Sequence, residues 1–491
     1  MSSRRAPVLL LSWSLLLAFG WFWPSLAHGF RSDDFLASYY WNATDGADWS
    51  RAVAEFARPW FGVRDLYRPL VSMSFAANFE LGSGPFGFHV FNTLLLALTA
   101  FAAGSIALRV APAGRGLAAA VAVAVVVMHP ASVETTAWMS ARTAGLEVCF
   151  STLAALAFVR RLQGDGGMTP VLLASSCALL SKEGAVMLPL LLLAVDLVVA
   201  WKRPLRERLR LHAPVISLVV VYFVWRRLLL GVFATAEAGH SLFERLAVVA
   251  VRSVTWIAPP GPDQQVHWSA AIGLFALLLL ATGPSRARAG ILLLCGALLL
   301  LPTSQMSEAI GLMSGRLLIS SVPVLAVAVA LCVATALGRT RAKWAAMLAL
   351  SLLLGSLGAA GRSWLYRYGE EDALLADLRR ELAVASSGGG PGRPIGVSML
   401  PGLPLLQTHL WGMLGVEPYS ERDAALATLA GMLQLDPDAP SLFGDAAMAH
   451  ALAELGGGAV TWNPDRRTFV PVARPEHARV ELTADPREKG A

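Results

Sequence analysis

RRAPVLLLSWSLLLAFGWFWPSLAHGFRSDDFLASYYW, residues 4–41, decides how the rest of the chain is read. Two arginines precede an apolar stretch from Val8 to Trp23, long enough with its flanks to cross a bilayer, and an acidic pair, Asp33 and Asp34, follows its exit. Ser25-Leu26-Ala27 also fits the end of a cleavable signal peptide. The uncleaved first helix is the preferred reading, because cleavage would leave the acidic pair at a loose chain end. A mature protein beginning at His28 would overturn it.

The remainder of the 491 residues repeats this theme. The chain is 55% hydrophobic and only 15% charged, more apolar surface than a soluble domain can hide. Apolar runs near residues 7–28, 88–108, 116–131, 143–160, 169–182, 184–201, 211–233, 268–283, 289–303, 317–337 and 343–360 are read as eleven spans. The fifth is short, as a broken or re-entrant element would be. The net charge of +6 does not point to nucleic acid, since the basic residues sit in short segments between spans. The four cysteines all fall inside apolar runs, with neither a disulfide framework nor a zinc-type spacing.

Charge sets the orientation. Arg4/Arg5, Arg109/Arg115, Arg160/Arg161, WKRPLRERLR at 201–210, Arg286/Arg288 and Arg339/Arg341/Lys343 all fall on one side if the N-terminus is cytoplasmic. The loops at 29–87, 131–142, 182–183, 234–267 and 304–316 then lie outside, as does the C-terminal region. Within 234–267, FERLAVVAVRSVTWI reads as an interfacial helix with Trp256 at headgroup depth.

From Arg362 the composition changes. GEEDALLADLRRELAVA is an amphipathic helix, SSGGGPGRP a linker, IGVSML a strand, and AVTWNPDRRTFVPV a hairpin turning at Asn463-Pro464-Asp465. The expected fold is therefore mainly α: a polytopic transmembrane helical bundle at 1–361, then a small α/β extracytoplasmic domain at 362–491.

Ionisable groups at membrane depth are functional hypotheses by default, and here they gather on the outer side. Asp33 and Asp34 follow the first helix, and YRPL supplies Arg68. GFHVFN supplies His89 and Asn92, and HPASVETTAWMSAR supplies His129, Glu134 and Arg142. SKEG carries Lys182 and Glu183, and SGR carries Arg316. A carboxylate can act as general base on an acceptor hydroxyl, while Arg and Lys hold a phosphate. That combination suits group transfer from a lipid phosphate carrier.

These motifs, taken in order over roughly residues 5–385, resemble the membrane O-mannosyltransferase-like proteins of the GT-C superfamily, closest to the class in which transmembrane helices precede TPR repeats. The resemblance implies a polyprenyl-phosphate-sugar donor, an acidic base in the first outer loop, and an inverting transfer that needs no metal. By position Asp33 and Asp34 match the acidic motif, and Arg68, Arg142, Lys182 and Arg316 are the donor-phosphate candidates. His89, Asn92, His129, Glu134 and Glu183 match polar positions without an assigned role. The chain departs from the pattern at Leu96 and Ser132, where the family often has histidine, and at Thr143-Ala144, where an aspartate is usual. The TPR array is replaced by the small α/β domain.

The implied function is a membrane glycosyltransferase, hexosyl- or mannosyltransferase-like, of a bacterial plasma membrane. Its partners would be a polyprenyl-phosphate-linked sugar, membrane lipids, and a protein or glycan acceptor. No cofactor is expected; a divalent cation at Asp33/Asp34 is the less favoured reading, because no His or Glu lies at helix spacing to complete its ligand set. The competing functions are a transporter or flippase of lipid-linked sugars and a non-catalytic envelope scaffold. Against the transporter, the middle spans are almost purely apolar apart from Asp196, and no duplicated halves are visible.

Overall fold

The computed structural model describes residues 5–30, 34, 42–43, 46–60, 66–82, 84–232, 241–262, 265–305 and 314–386, together with four C-terminal strands. The chain divides into two units: Met1–Gly29 with Tyr40–Gly369, and Phe30–Tyr39 with Glu370–Ala491.

The first unit is helical. In chain order its helices are α1 (Arg5–Phe22), α2 (Trp49–Ala54), α3 (Pro69–Glu80), α4 (Gly84–Val110), α5 (Arg115–Met128), α6 (Ala131–Ala137), α7 (Arg142–Leu162) and α8 (Thr169–Leu179). There follow α9 (Leu188–Val199), α10 (Leu205–Leu230), α11 (Leu242–Ile257), α12 (Trp268–Leu280), α13 (Gly283–Leu298), α14 (Gly315–Leu318), α15 (Val322–Ala336) and α16 (Lys343–Ser386), the last continuing into the second unit. Every apolar run of the sequence falls mainly on these helices, the run at 317–337 being divided between α14 and α15 by a 3-10 turn at Ile319–Ser321. Among the described residues seven are long and apolar enough to cross a membrane, and α5 with α6 would make an eighth. The protein is an integral membrane protein of mainly α fold.

Local chemistry sets the helix ends. Proline stands in the first turn of α3, α8, α9, α13 and α15, where its missing N–H costs no hydrogen bond. Gly231 closes α10 in the left-handed conformation at φ 76°. Pro130 cannot continue α5, and the chain turns by 65° into α6. The centre of the unit is α15, buried along almost its whole length against α5, α13 and α4. Its alanines and valines let neighbouring helices approach closely, as apolar membrane bundles require.

Trp256 departs from the sequence expectation. It is fully buried, its ring packed directly on Gly296 of α13, where a Cβ would overlap the indole. A glycine opposite the ring turns a residue expected at headgroup depth into a core residue.

The second unit contains a four-stranded sheet of β3 (Ile395–Ser398), β4 (Ser441–Gly444), β5 (Gly458–Asn463) and β6 (Thr468–Pro471), in the order β4-β3-β5-β6; β1 (Asn42–Ala43) and β2 (Gly46–Ala47) form a separate small ladder in the first unit. β3 pairs in parallel with β4 and β5, while β5 and β6 pair antiparallel with Asn463 opposite Thr468. The two strands of the expected hairpin therefore pair, while the residues of its turn beyond Asn463 lie outside the described residues.

Candidate functional site

Arg68 stands immediately before α3 as its N-cap residue, in the non-helical backbone that the following Pro69 favours. Its Nη2 donates to Glu183 Oε2 at 2.9 Å, and its Nε lies 3.2 and 3.3 Å from the two carboxylate oxygens. The guanidinium stacks 4.7 Å above the Trp60 ring. Glu183 also accepts from the Tyr67 N–H at 3.3 Å and faces Arg226 Nη1 of α10 at 3.9 Å. Burial alone would raise the Glu183 carboxyl. The Arg68 charge and hydrogen bonds, joined by the Arg226 charge, outweigh it and hold the group below the ordinary carboxylate value.

The neighbouring residue extends the network to another segment. Lys182 Nζ donates to the Arg316 carbonyl at 2.8 Å. The Arg316 N–H in turn donates to Glu134 Oε2 at 2.9 Å, and Ser314 Oγ donates to the same oxygen at 3.2 Å. Arg316 Nε lies 3.5 Å from Glu134 Oε1, with the guanidinium 5.0 Å above Trp138. Gly315 makes this approach possible: a Cβ there would lie 2.6 Å from the Ala131 carbonyl oxygen. Only glycine lets α14 sit this close to the start of α6.

Arg142 occupies different surroundings. It is fully buried, donating from Nε to Asn92 Oδ1 at 2.8 Å, from Nη1 to the Ser74 carbonyl at 3.0 Å and from Nη2 to the Phe88 carbonyl at 3.3 Å. The Phe75, Phe88 and Phe91 rings surround its guanidinium at 4.4 to 5.0 Å. Asn92 passes the connection on, donating to the Trp138 carbonyl at 3.3 Å. Arg142 thus ties α3, α4 and α7 together.

Both candidate histidines are buried. His129 Nδ1 accepts from the Ala131 N–H at 3.1 Å, so Nε2 carries the proton donated to the Trp256 carbonyl at 3.0 Å. The ring thereby caps the break between α5 and α6. His89 places Nδ1 3.5 Å from the Thr136 carbonyl, with the His28 ring edge-on at 6.2 Å. Asp33 lies outside the described residues. Asp34 is buried and belongs to the second unit.

Arg68, Lys182, Glu183, Glu134 and Arg316 therefore form one connected network at one end of the helical unit, whereas Arg142 and Asn92 form a buried strut. Two members escaped the sequence reading. Arg226 lies beside Arg227 near the C-terminal end of α10, and Glu147 of α7 accepts from Ser320 Oγ at 2.7 Å beneath Gly184. Their signal was available: each is an ionisable residue inside a span. Among the described residues no three His, Cys, Asp or Glu side chains gather into a metal-ligand set.

No family model and no curated protein matches the chain. In structure it is similar to ArnT from Cupriavidus metallidurans bound to undecaprenyl phosphate, at 15% identity and a TM-score of 0.47, covering 94% of this chain and 93% of that one. The apo state of the same ArnT gives 13% identity and a TM-score of 0.43, with 95% and 94% covered.

Proposed function

We propose that this protein is a GT-C type membrane glycosyltransferase, hexosyl- or mannosyltransferase-like. It moves a sugar from a polyprenyl-phosphate donor to an acceptor hydroxyl on the outer face of the membrane. The observation that supports this reading is the joining of Arg68, Lys182 and Arg316, from three separate segments, into one network at one end of an apolar bundle. Fixed cations at the rim of a membrane bundle suit a phosphate on a lipid tail. Glu183 and Glu134 aim the arginines, and Lys182 supplies a compact charge. Arg142, whose donors are engaged by Asn92 and two carbonyls, is assigned to positioning and not to the phosphate.

In this mechanism Asp34 or Asp33 takes the proton from the acceptor hydroxyl as its oxygen attacks the anomeric carbon. The bond to the leaving phosphate breaks, and the cations stabilise the charge left on it. The acceptor is a protein or glycan hydroxyl. Incubating the purified protein with several polyprenyl-phosphate sugars and identifying the product by mass tests the reading. Asp34→Asn or Asp33→Asn is expected to abolish transfer in a folded, inserted protein. Full activity in both variants removes the mechanism.

A further inference from the structure

About 18 Å along α9 from the Glu183 end, its twelve residues lead to a second set of buried charges that the proposed transfer does not use. Asp196 is fully buried near the end of α9. It accepts from Arg203 Nη1 at 2.7 Å and Arg208 Nε at 2.9 Å, with His212 Nε2 at 3.4 Å. Arg208 Nη2 also donates to the Ala200 and Trp201 carbonyls at 3.1 and 3.3 Å. One buried carboxylate thus fixes two guanidinium groups and an imidazole around the turn between α9 and α10. Satisfying the positive-inside rule needs only charge in a loop, not arginines locked in place.

Two cavities border this network, one lined in part by Arg208 and His212 and the other in part by Arg203. An apolar groove of about 290 Å³ runs between α9 and α10, lined by Pro189, Leu193, Leu209 and Ile216, with Arg208 and His212 at its edge. Leu209 and Ile216 are more than two-fifths exposed, as lipid-facing side chains are. A polar pocket of about 340 Å³ is lined by Arg161 from the end of α7 and by Arg203 and Arg210, against the single carboxylate of Glu207. The groove gives a small anion no reason to bind, and the three arginines give none to an uncharged chain. An amphiphile with an anionic head satisfies both.

We propose that this end of the bundle binds an anionic phospholipid, its phosphate held by Arg161, Arg203 and Arg210 and one acyl chain laid in the α9–α10 groove. Basic pockets beside membrane helices attract acidic headgroups in this way. Arg203 is held in place by Asp196, so less side-chain freedom is lost when the headgroup arrives.

The test uses the full-length protein, stripped of lipid in detergent and titrated with phosphatidylglycerol, phosphatidylcholine or inorganic phosphate, with bound molecules counted by native mass spectrometry. Phosphatidylglycerol is expected to be retained in preference to phosphatidylcholine. Arg161→Ala and Arg210→Ala, both at exposed positions, are each expected to weaken that retention about fivefold. Glu207→Gln, which removes the opposing carboxylate, is expected to strengthen it. Equal retention of the two lipids, or unchanged phosphatidylglycerol retention in the Arg161→Ala/Arg210→Ala double variant, overturns the proposal. Displacement of phosphatidylglycerol by millimolar inorganic phosphate, with no preference between lipids, assigns the pocket to a free anion and overturns it equally.

Discussion

Glu183 shows how much one carboxylate can organise. It holds Arg68 by two nitrogens and faces Arg226, so Glu183→Gln removes a negative charge that two guanidinium groups face. The expected outcome is a roughly hundredfold fall in transfer rate from misplacement of Arg68, read with a fixed donor in steady-state assays. Because its folded carboxyl is held below the ordinary value, the stabilisation it provides is present above that value and is lost as pH falls through the depressed one. A wild-type thermal-stability profile should therefore keep this contribution at pH 5 and shed it only in stronger acid, whereas Glu183→Gln should show no such acid-dependent loss. Arg142 is the complementary case, a buried cation that donates to Asn92 Oδ1 at 2.8 Å. Asn92→Leu removes that acceptor and is expected to destabilise the protein by about 3 kcal/mol. Asn92→Asp, which keeps it, should not, and thermal unfolding in detergent distinguishes the two. Arg68, Arg142, Lys182 and Glu183 are legible in the sequence because charge in an apolar chain is conspicuous. The division into strut and network is not, because it depends on which groups pack around each guanidinium.

At the scale of elements, the bend between α5 and α6 and the four-residue helix α14 matter more than their lengths suggest. Pro130 turns the chain so that α6 presents Glu134 toward the Arg316 backbone, and Gly315 lets that backbone come within reach. Gly315→Ala puts a methyl group against the Ala131 carbonyl. The expected result is a loss of about 1 to 3 kcal/mol in stability together with a large loss of transfer, as α14 moves away and Arg316 leaves Glu134. Measuring unfolding and activity on the same preparation checks it: full activity with α14 displaced would separate Arg316 from the site. The apolar runs were legible as helices because hydrophobic length is a one-dimensional property. The burial of Trp256 was not, since it required a glycine on α13 to stand opposite the ring.

At the scale of the whole molecule, the proposed chemistry requires the Arg68–Lys182–Arg316 end to face outward and the Asp196 end to face the cytoplasm. Gln265 and Lys202, both exposed, report on the two sides. In a cysteine-free background, Gln265→Cys is expected to react with a membrane-impermeant maleimide in intact cells, and Lys202→Cys only after permeabilisation. The reverse pattern would overturn the orientation read from the basic loops.

A polytopic helical membrane protein followed by short C-terminal strands was legible in the sequence without any structure. Apolar length, charge spacing and turn residues are local quantities that need no partner to be read. The tertiary structure alone decided that Lys182 and Glu183, adjacent in the chain, reach to Arg316 on one side and Arg68 on the other. It also decided that Arg142 braces three helices, and that Asp196 gathers arginines at the far end of α9. The physical reason is common to all three. A buried charge takes its role from the groups that desolvate and pair with it, and folding brings those groups from distant segments.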